Sequence, residues 1–210
     1  MIVVPKENMK NLIALVLTGW ILMGASNSPL VIVFYGDSLT AGYGIDPEST
    51  FPALIGKALE QKGKNVKVVN AGVSGETSAG GLSRVDWVLR QPVDIFVLEL
   101  GANDGLRGLP VEQTKKNLQA LIDKVKAKNP NVKIVIAGMM VPPNMGPDYS
   151  AQFQKIFPEL ARRNDAALVP FLLEDVAGIK TLNLADGIHP NPEGHQIVAR
   201  NVLKVLEPLL

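Results

Sequence analysis

The chain of 210 residues contains no cysteine and only two histidines, and both shortages limit the chemistry that it can perform. Without cysteine it has no disulfide, no thiolate metal site and no cysteine nucleophile. A metal site rich in histidine is excluded as well. Any reaction that depends on histidine must therefore use His189 or His195.

An excess of charge of one sign is also missing. The 21 Lys and Arg residues and the 20 Asp and Glu residues are interspersed, which gives a net charge of +1. Because there is no basic stripe, we expect no nucleic-acid partner. A hydrophobic fraction of 47% at this length indicates one globular domain with its own core, which we assign to residues 29–210.

Residues 1–28 differ in composition from the rest of the chain. Met9 and Lys10 precede an uncharged apolar run over residues 12–23, and small residues follow over residues 24–28. This order is typical of a secretory signal peptide and predicts a periplasmic or secreted protein. The run is too short for a stable membrane span. The alternative is a retained apolar helix, which would hold the protein at a membrane or pair with a second copy in a homo-oligomer.

Short apolar runs alternate with amphipathic segments along the remaining chain. The patterns predict strands at 31–35, 66–69, 94–100, 132–137 and 166–170, and helices at 50–62, 77–90, 111–128, 151–164 and 192–206, with a helical turn at 171–177. Continuous apolar strands are typical of parallel sheets that are covered on both faces. We therefore predict a three-layer α/β/α sandwich around a central, mostly parallel sheet of about five strands.

Polar motifs follow the first three predicted strands. They are Gly36-Asp37-Ser38, then residues 70–75 (Asn-Ala-Gly-Val-Ser-Gly), then residues 101–104 (Gly-Ala-Asn-Asp). Because the carboxyl ends of parallel strands share one edge of a sheet, we expect the three motifs to converge. A fourth motif, residues 186–189 (Asp-Gly-Ile-His), precedes the last helix.

Three side chains in these motifs suit nucleophilic catalysis. A serine hydroxyl becomes a nucleophile when a neighbouring base removes its proton, and histidine is the usual base. A carboxylate then fixes the tautomer of the imidazole. Ser38, His189 and Asp186 supply these groups, and the glycine at position 187 eases the short turn between the last two. We interpret His195 as a helix-face residue without a catalytic role.

The same motifs offer donors for an oxyanion. A tetrahedral intermediate needs hydrogen-bond donors aimed at its developing negative charge. The candidates are the backbone N–H groups of Ser38 and Gly75 and the side-chain amide of Asn103. Each motif alone is typical of an ordinary turn, but four complementary turns on one sheet edge favour catalysis.

Together the motifs resemble the four conserved blocks of the SGNH (GDSL) hydrolase family, in the same order and at the same spacing over about residues 30–208. Residues 74–78 and 99–108 further resemble its bacterial arylesterase and multifunctional thioesterase/lysophospholipase branch. The resemblance implies an SGNH-hydrolase, flavodoxin-like fold and a typically periplasmic or secreted enzyme without metal or cofactor. It assigns Ser38 as nucleophile, Asp186 and His189 as its triad partners, and Ser38, Gly75 and Asn103 as the oxyanion hole. Relatives often have a second glycine where Ala102 stands, and the extra methyl could tighten the pocket.

The expected substrates are small-molecule esters with short-to-medium acyl chains, including aryl esters, and by resemblance thioesters or lysophospholipids. Weaker expectations for substrate contact fall on Asp37 and on Met139, Val141 and Pro142 of the methionine-rich loop after the fourth strand. Unbranched methionines adapt to varied acyl chains. They would equally well pack beneath a loop.

Several alternatives stay open. A carbohydrate O-acetyl esterase would use the same residues and mechanism. A metal-dependent phosphoesterase would use Asp37, Asn103, Asp104, Asp186 and His189 as ligands, although such sites usually contain more histidines. A non-catalytic binding module would keep the fold without turnover. A standard α/β-hydrolase is disfavoured because the chain has no Gly-x-Ser-x-Gly motif.

Overall fold

The structure, a computed structural model, describes residues 28–210, so the predictions of a signal peptide or a retained helix lie outside the described residues. Five strands are present: β1 (Leu30–Gly36), β2 (Val66–Asn70), β3 (Ile95–Glu99), β4 (Lys133–Ala137) and β5 (Ala167–Val169). The helices are α1 (Ser38–Ala41), α2 (Phe51–Gln61), α3 (Ser78–Val88), α4 (Ala102–Leu106), α5 (Val111–Lys128), α6 (Pro147–Asn164) and α7 (Pro192–Leu206). Within residues 28–210, none of the helices has the length and apolar character needed to cross a membrane.

The five strands form one sheet in the order β2-β1-β3-β4-β5, and all neighbouring pairs are parallel. Strand β2 therefore lies on one side of β1, and β3, β4 and β5 follow in that order on the other side. The strand order reverses between β1 and β3, and such a switch point leaves a crevice at the carboxyl ends of the strands. The predicted parallel sheet of about five strands is confirmed.

Helices cover both faces of the sheet, which confirms the predicted three layers. Helices α2 and α7 pack together on one face, and α5 packs between α3 and α6 on the other. Alternate side chains of β1 enter the two layers. Phe34 packs edge-on against Phe51 of α2, and Tyr35 donates a hydrogen bond from its hydroxyl to the carbonyl of Gly81 in α3.

Side-chain caps set several of the helix starts. The side chain of Thr50 accepts the N–H of Ala53 at the start of α2, and that of Asn191 accepts the N–H of Gly194 at the start of α7. Helix α6 begins four residues earlier than predicted because Pro147 occupies its first position, where proline is favoured. The short helices α1 and α4 were not predicted, since one turn is too short to show a helical period.

Candidate active site

The side chains of Thr40 and Glu99 pack closely against Gly36, the last residue of β1, and fix the turn that carries Ser38. A Cβ atom at Gly36 would lie 2.1 Å from Thr40 Oγ1 and 2.4 Å from Glu99 Oε2, so only glycine fits there. The carboxylate of Asp37 then caps α1 by accepting the N–H of Leu39 at 3.0 Å. Ser38 is the first residue of α1 and is half-buried at the switch point between β1 and β3.

The structure brings the three predicted triad side chains into direct contact. Nε2 of His189 lies 2.9 Å from Oγ of Ser38, and Nδ1 of His189 lies 2.7 Å from Oδ2 of Asp186. Because Asp186 can only accept when ionised, Nδ1 carries the proton and Nε2 is free to accept one. Ser38 therefore donates its hydroxyl hydrogen to His189, which is the arrangement that a general base requires.

The loop that carries Asp186 keeps this carboxylate charged. Its Oδ1 atom accepts the backbone N–H groups of Ile188 at 2.9 Å and His189 at 3.0 Å, across a turn in which Gly187 has φ +70°. The N–H of His189, followed by that of Ile188 and by the His189 side chain, lowers the pKa of Asp186 to about 2. The carboxylate is thus a fixed negative charge on one side of the imidazole.

The groups predicted for the oxyanion hole lie in the segments that follow β1, β2 and β3. Nδ2 of Asn103 donates to Oδ2 of Asp37 at 3.0 Å and to the carbonyl of Glu76 at 3.1 Å. Gly75 is exposed with φ +78°, and Nη2 of Arg107 donates to its carbonyl at 3.0 Å. Within residues 28–210, the backbone N–H groups of Ser38 and Gly75 have no hydrogen-bond acceptor. Both N–H groups are therefore available to an oxyanion.

The side chain of Asp37, for which we predicted substrate contact, is directed into the protein. It is 1% exposed, and its two carboxylate oxygens accept hydrogen bonds from Leu39 and Asn103. Burial raises the pKa of Asp37 to about 6, against the lowering effect of the Leu39 N–H. The structure therefore gives Asp37 a role in holding the turn and the Asn103 amide.

Glu99 was missed by the sequence analysis although it adjoins this turn. It is 1% exposed, and its Oε2 atom accepts the N–H of Asp37 at 3.1 Å and the hydroxyl of Thr40 at 2.8 Å. Burial, followed by the charge of Asp37, raises the pKa of Glu99 well above its usual range. A single acid inside the apolar run 95–100 is the signal that could have revealed it.

A second missed group supports the loop that contains Gly75. Nε of Arg84 donates to Oε1 of Glu76 at 2.6 Å, and its Nη2 donates to the carbonyl of Ala71 at 2.8 Å. The guanidinium also lies 4.0 Å from the centre of the Tyr35 ring. Arg84 thus ties both ends of this loop to α3 and to β1.

The methionine-rich loop contributes less to the site than expected. Met139, for which we predicted substrate contact, is 3% exposed and belongs to the core. Val141 is half-buried against Gly105, where an added Cβ would lie 2.4 Å from its Cγ1 atom. Pro142 is exposed.

Exposed apolar side chains occur in the segments that follow the strands at the carboxyl edge of the sheet. They lie after β1, β2, β3 and β4 and beside His189, and we call them the apolar rim: Tyr43, Val73, Leu106, Leu109, Met140 and Ile188. The Tyr43 ring packs on the imidazole of His189 at a centroid distance of 4.6 Å and remains 52% exposed. The surface around the triad therefore suits an apolar ligand.

The five residues of the metal alternative do not gather into one site. Asp104 accepts hydrogen bonds from the N–H and the hydroxyl of Ser78, at 2.7 and 2.5 Å, which directs its carboxylate towards α3. In the described part of the chain, no group of three or more histidine or acidic residues is arranged to hold a metal ion.

Comparisons with known proteins agree with this geometry. A model of the GDSL-like lipase/acylhydrolase family matches residues 34–197, a span that includes Ser38, Asn103 and His189. Esterase TesA of Pseudomonas aeruginosa is 38% identical over 201 residues, which cover 94% of this chain and 99% of that protein. An arylesterase of Vibrio mimicus is 39% identical over 186 residues, which cover 88% of this chain and 92% of that protein.

Solved structures show the same relationship. A crystal structure of TesA superposes with a TM-score of 0.82 at 39% identity and covers 86% of this chain and 99% of that chain. The likeness therefore extends through the whole described fold. It agrees with the resemblance that the four motifs carry.

Proposed function

Because the chain belongs to the GDSL-like lipase/acylhydrolase family and is thus a carboxylic ester hydrolase, we propose that Ser38 is its nucleophile and that His189 and Asp186 activate it. The single observation that carries this assignment is the 2.9 Å contact between Nε2 of His189 and Oγ of Ser38. The 2.7 Å contact of Nδ1 with Asp186 supports it by fixing the required tautomer.

In the acylation step, Oγ of Ser38 attacks the carbonyl carbon of the ester while Nε2 of His189 takes the hydroxyl proton. The π electrons of the carbonyl move onto its oxygen, which becomes the oxyanion. The bond to the leaving group then breaks, and the imidazolium returns its proton to the departing alcohol or thiol. Asp186 stabilises the imidazolium in between, since its carboxylate is ionised.

Deacylation repeats the same steps with water. His189 removes a proton from the water molecule, whose oxygen attacks the acyl carbon, and the serine oxygen leaves with that proton. In both steps the N–H groups of Ser38 and Gly75 stabilise the oxyanion, and the amide of Asn103 joins them when its hydrogen bond to the carbonyl of Glu76 is exchanged for one to the oxyanion. Removing one such donor typically lowers turnover about 10²- to 10³-fold.

The substrate class follows from the apolar rim. An open surface of aliphatic and aromatic side chains beside the nucleophile favours acyl esters of short-to-medium length, and aryl esters are included. Thioesters and lysophospholipids offer the same attackable carbonyl. We further propose that residues 1–28 are a signal peptide that exports the enzyme to the periplasm or beyond, because their composition has the order of such a peptide.

The test is hydrolysis of p-nitrophenyl esters, from acetate to palmitate, by the wild type and by Ser38→Ala, with and without EDTA. We expect turnover that survives EDTA and disappears in Ser38→Ala, and the dependence of rate on chain length will measure the acyl site. Ser83→Ala is the matched control, because this exposed serine bonds only within α3. A fluorophosphonate probe should label Ser38 in the wild type and in the control.

Two outcomes would overturn the proposal. Turnover that persists in Ser38→Ala would remove the nucleophile from its role. Turnover that EDTA abolishes would favour the metal-dependent alternative. An acetylated oligosaccharide hydrolysed faster than any p-nitrophenyl ester would keep the mechanism and change the substrate to a carbohydrate.

A further inference from the structure

Glu99 lies directly behind the turn that presents Ser38. Its Oε2 atom occupies the space left by the missing side chain of Gly36, where an added Cβ would lie 2.4 Å away. From there it accepts the N–H of Asp37 and the hydroxyl of Thr40, at 3.1 and 2.8 Å. One carboxyl oxygen therefore binds both flanks of the nucleophile.

The surroundings of the other oxygen of Glu99, Oε1, disfavour an ionised carboxylate at this position. Oε1 is buried and has no hydrogen-bond donor among residues 28–210. A buried carboxylate with an unsatisfied oxygen is strongly destabilising, whereas a neutral acid can use one oxygen as a donor. The charged group that acts on Glu99 is Asp37, which has the same sign.

Two adjoining buried carboxyl groups are not both ionised at neutral pH, so one of the two carries a proton. Glu99 and Asp37 adjoin in the same buried turn, since the backbone N–H of Asp37 donates to Oε2 of Glu99 at 3.1 Å and both side chains are 1% exposed. His189 favours the charged form of Asp37, and the nearby cation of Arg84 is paired with Glu76. The proton of the pair therefore resides on Glu99, and the negative charge resides on Asp37.

We propose that Glu99 is a positioning residue that, as a neutral carboxylic acid, holds the N–H of Asp37 and the hydroxyl of Thr40 and thereby fixes the turn that presents Ser38. The same turn carries the Asp37 carboxylate that anchors the amide of Asn103. The proposal rests on the roles assigned above to Ser38 and Asn103. Asp37 connects Glu99 to the oxyanion donor, because its two oxygens accept hydrogen bonds from the N–H of Leu39 and from Nδ2 of Asn103, both at 3.0 Å. Glu99 itself does not touch the substrate.

Two substitutions of Glu99 separate its hydrogen bonds from its volume. Glu99→Gln keeps a neutral donor and an acceptor at nearly the same positions, so we expect kcat within about threefold of the wild type. Glu99→Met fills the same space without hydrogen bonds, so kcat should fall about 10- to 100-fold with little change in KM. Glu112→Gln and Glu112→Met, on the exposed first turn of α5, are the matched controls.

Infrared spectroscopy tests the protonation state without relying on turnover. In the wild type above neutral pH, isotope-labelled glutamate should show the carbonyl stretch of a protonated carboxylic acid, and this band should be lost in Glu99→Gln. If Glu99→Met does not fold, the infrared band of the wild type and of Glu99→Gln still tests whether Glu99 is protonated. The inference is overturned if the band is missing, or if Glu99→Gln loses as much kcat as Glu99→Met. Failure of the triad would instead appear as activity in Ser38→Ala while the infrared band remains.

Discussion

Two carboxylates flank Ser38, the proposed nucleophile, and their surroundings differ sharply. Asp186 lies in an exposed loop, where two backbone N–H groups bring its pKa to about 2. Asp37 lies beneath the nucleophile turn, where burial raises its pKa to about 6. The same type of side chain is thus a secure anion on one side of Ser38 and a buried group with a raised pKa on the other.

The difference indicates that the exposed side around Asp186 and the buried side around Asp37 have different roles. In the proposed mechanism the exposed side needs a full charge close to His189, because an imidazolium forms and disappears in every turnover. The buried side needs fixed geometry, since the amide of Asn103 must hold its place when the oxyanion develops. The predictions below test each side separately.

Replacing the exposed carboxylate should have the largest effect. Asp186→Asn keeps the shape of the side chain and its oxygen on the two backbone N–H groups, but it places an NH₂ donor opposite Nδ1 of His189. This favours the wrong tautomer of His189, so kcat should fall about 10⁴-fold. Steady-state kinetics on a p-nitrophenyl ester measures this loss. Asp86→Asn, an exposed residue of α3 that pairs with Lys124, is the like-for-like control. A loss below tenfold in Asp186→Asn would contradict the role given to Asp186.

The oxyanion donor should come next. Asn103→Ala removes the amide that Asp37 and the carbonyl of Glu76 hold, so kcat should fall about 10²- to 10³-fold with a small change in KM. Asn131→Ala, at an exposed position before β4, should leave kcat unchanged. A rise in KM at constant kcat would show instead that Asn103 binds the ground state.

The exposed side was predictable from the sequence, and the buried side was not. The spacing of Asp186 and His189 is local, and the ends of parallel strands meet at one edge, so the triad and the parallel sheet follow from short patterns. Asp37 and Ser38 are neighbours that point in different directions, and residue type alone does not show which of them faces the substrate. The contact of Glu99 with Asp37 spans 62 positions, beyond the reach of any local pattern.

The methionine-rich loop shows the same limit. Met139 and Met140 are adjacent and chemically identical, yet the first is in the core and the second is exposed on the apolar rim. Sequence composition predicts an adaptable apolar surface in this loop, and of the two methionines only Met140 is exposed. The direction of each side chain depended on how the chain leaves β4, which tertiary packing decides.

The two histidines extend the comparison to stability. His195 is buried, its Nδ1 accepts the N–H of Phe51 at 3.1 Å, and burial, followed by the charge of His189, lowers its pKa from 6.5 to about 4. Between these values the unfolded chain binds a proton that the native protein does not, so the free energy of unfolding should decrease as the pH falls. The contribution of His195 to this decrease is about 3 kcal/mol.

The measurement is urea unfolding of the wild type and of His195→Asn, which keeps an acceptor but does not titrate, at neutral pH and near pH 4. Asp37 acts with the opposite sign, because its raised pKa lets the native state take up a proton first as the pH falls below about 6. The difference between the two proteins therefore isolates His195. Parallel curves would show that this histidine is already charged in the native state.

The smallest effect on activity should come from replacing Tyr43, whose ring packs on the imidazole of His189. The Tyr43 ring packs on His189 at 4.6 Å while half of its surface faces solvent, and such a contact contributes about 0.5–1.5 kcal/mol. Tyr43→Ala should therefore lower kcat/KM about two- to tenfold, whereas Tyr43→Phe keeps the ring and should match the wild type. Trp87→Ala removes an exposed aromatic ring from α3 and serves as the control. If Tyr43→Phe lost as much as Tyr43→Ala, the hydroxyl rather than the ring contact would be the group that acts on the substrate.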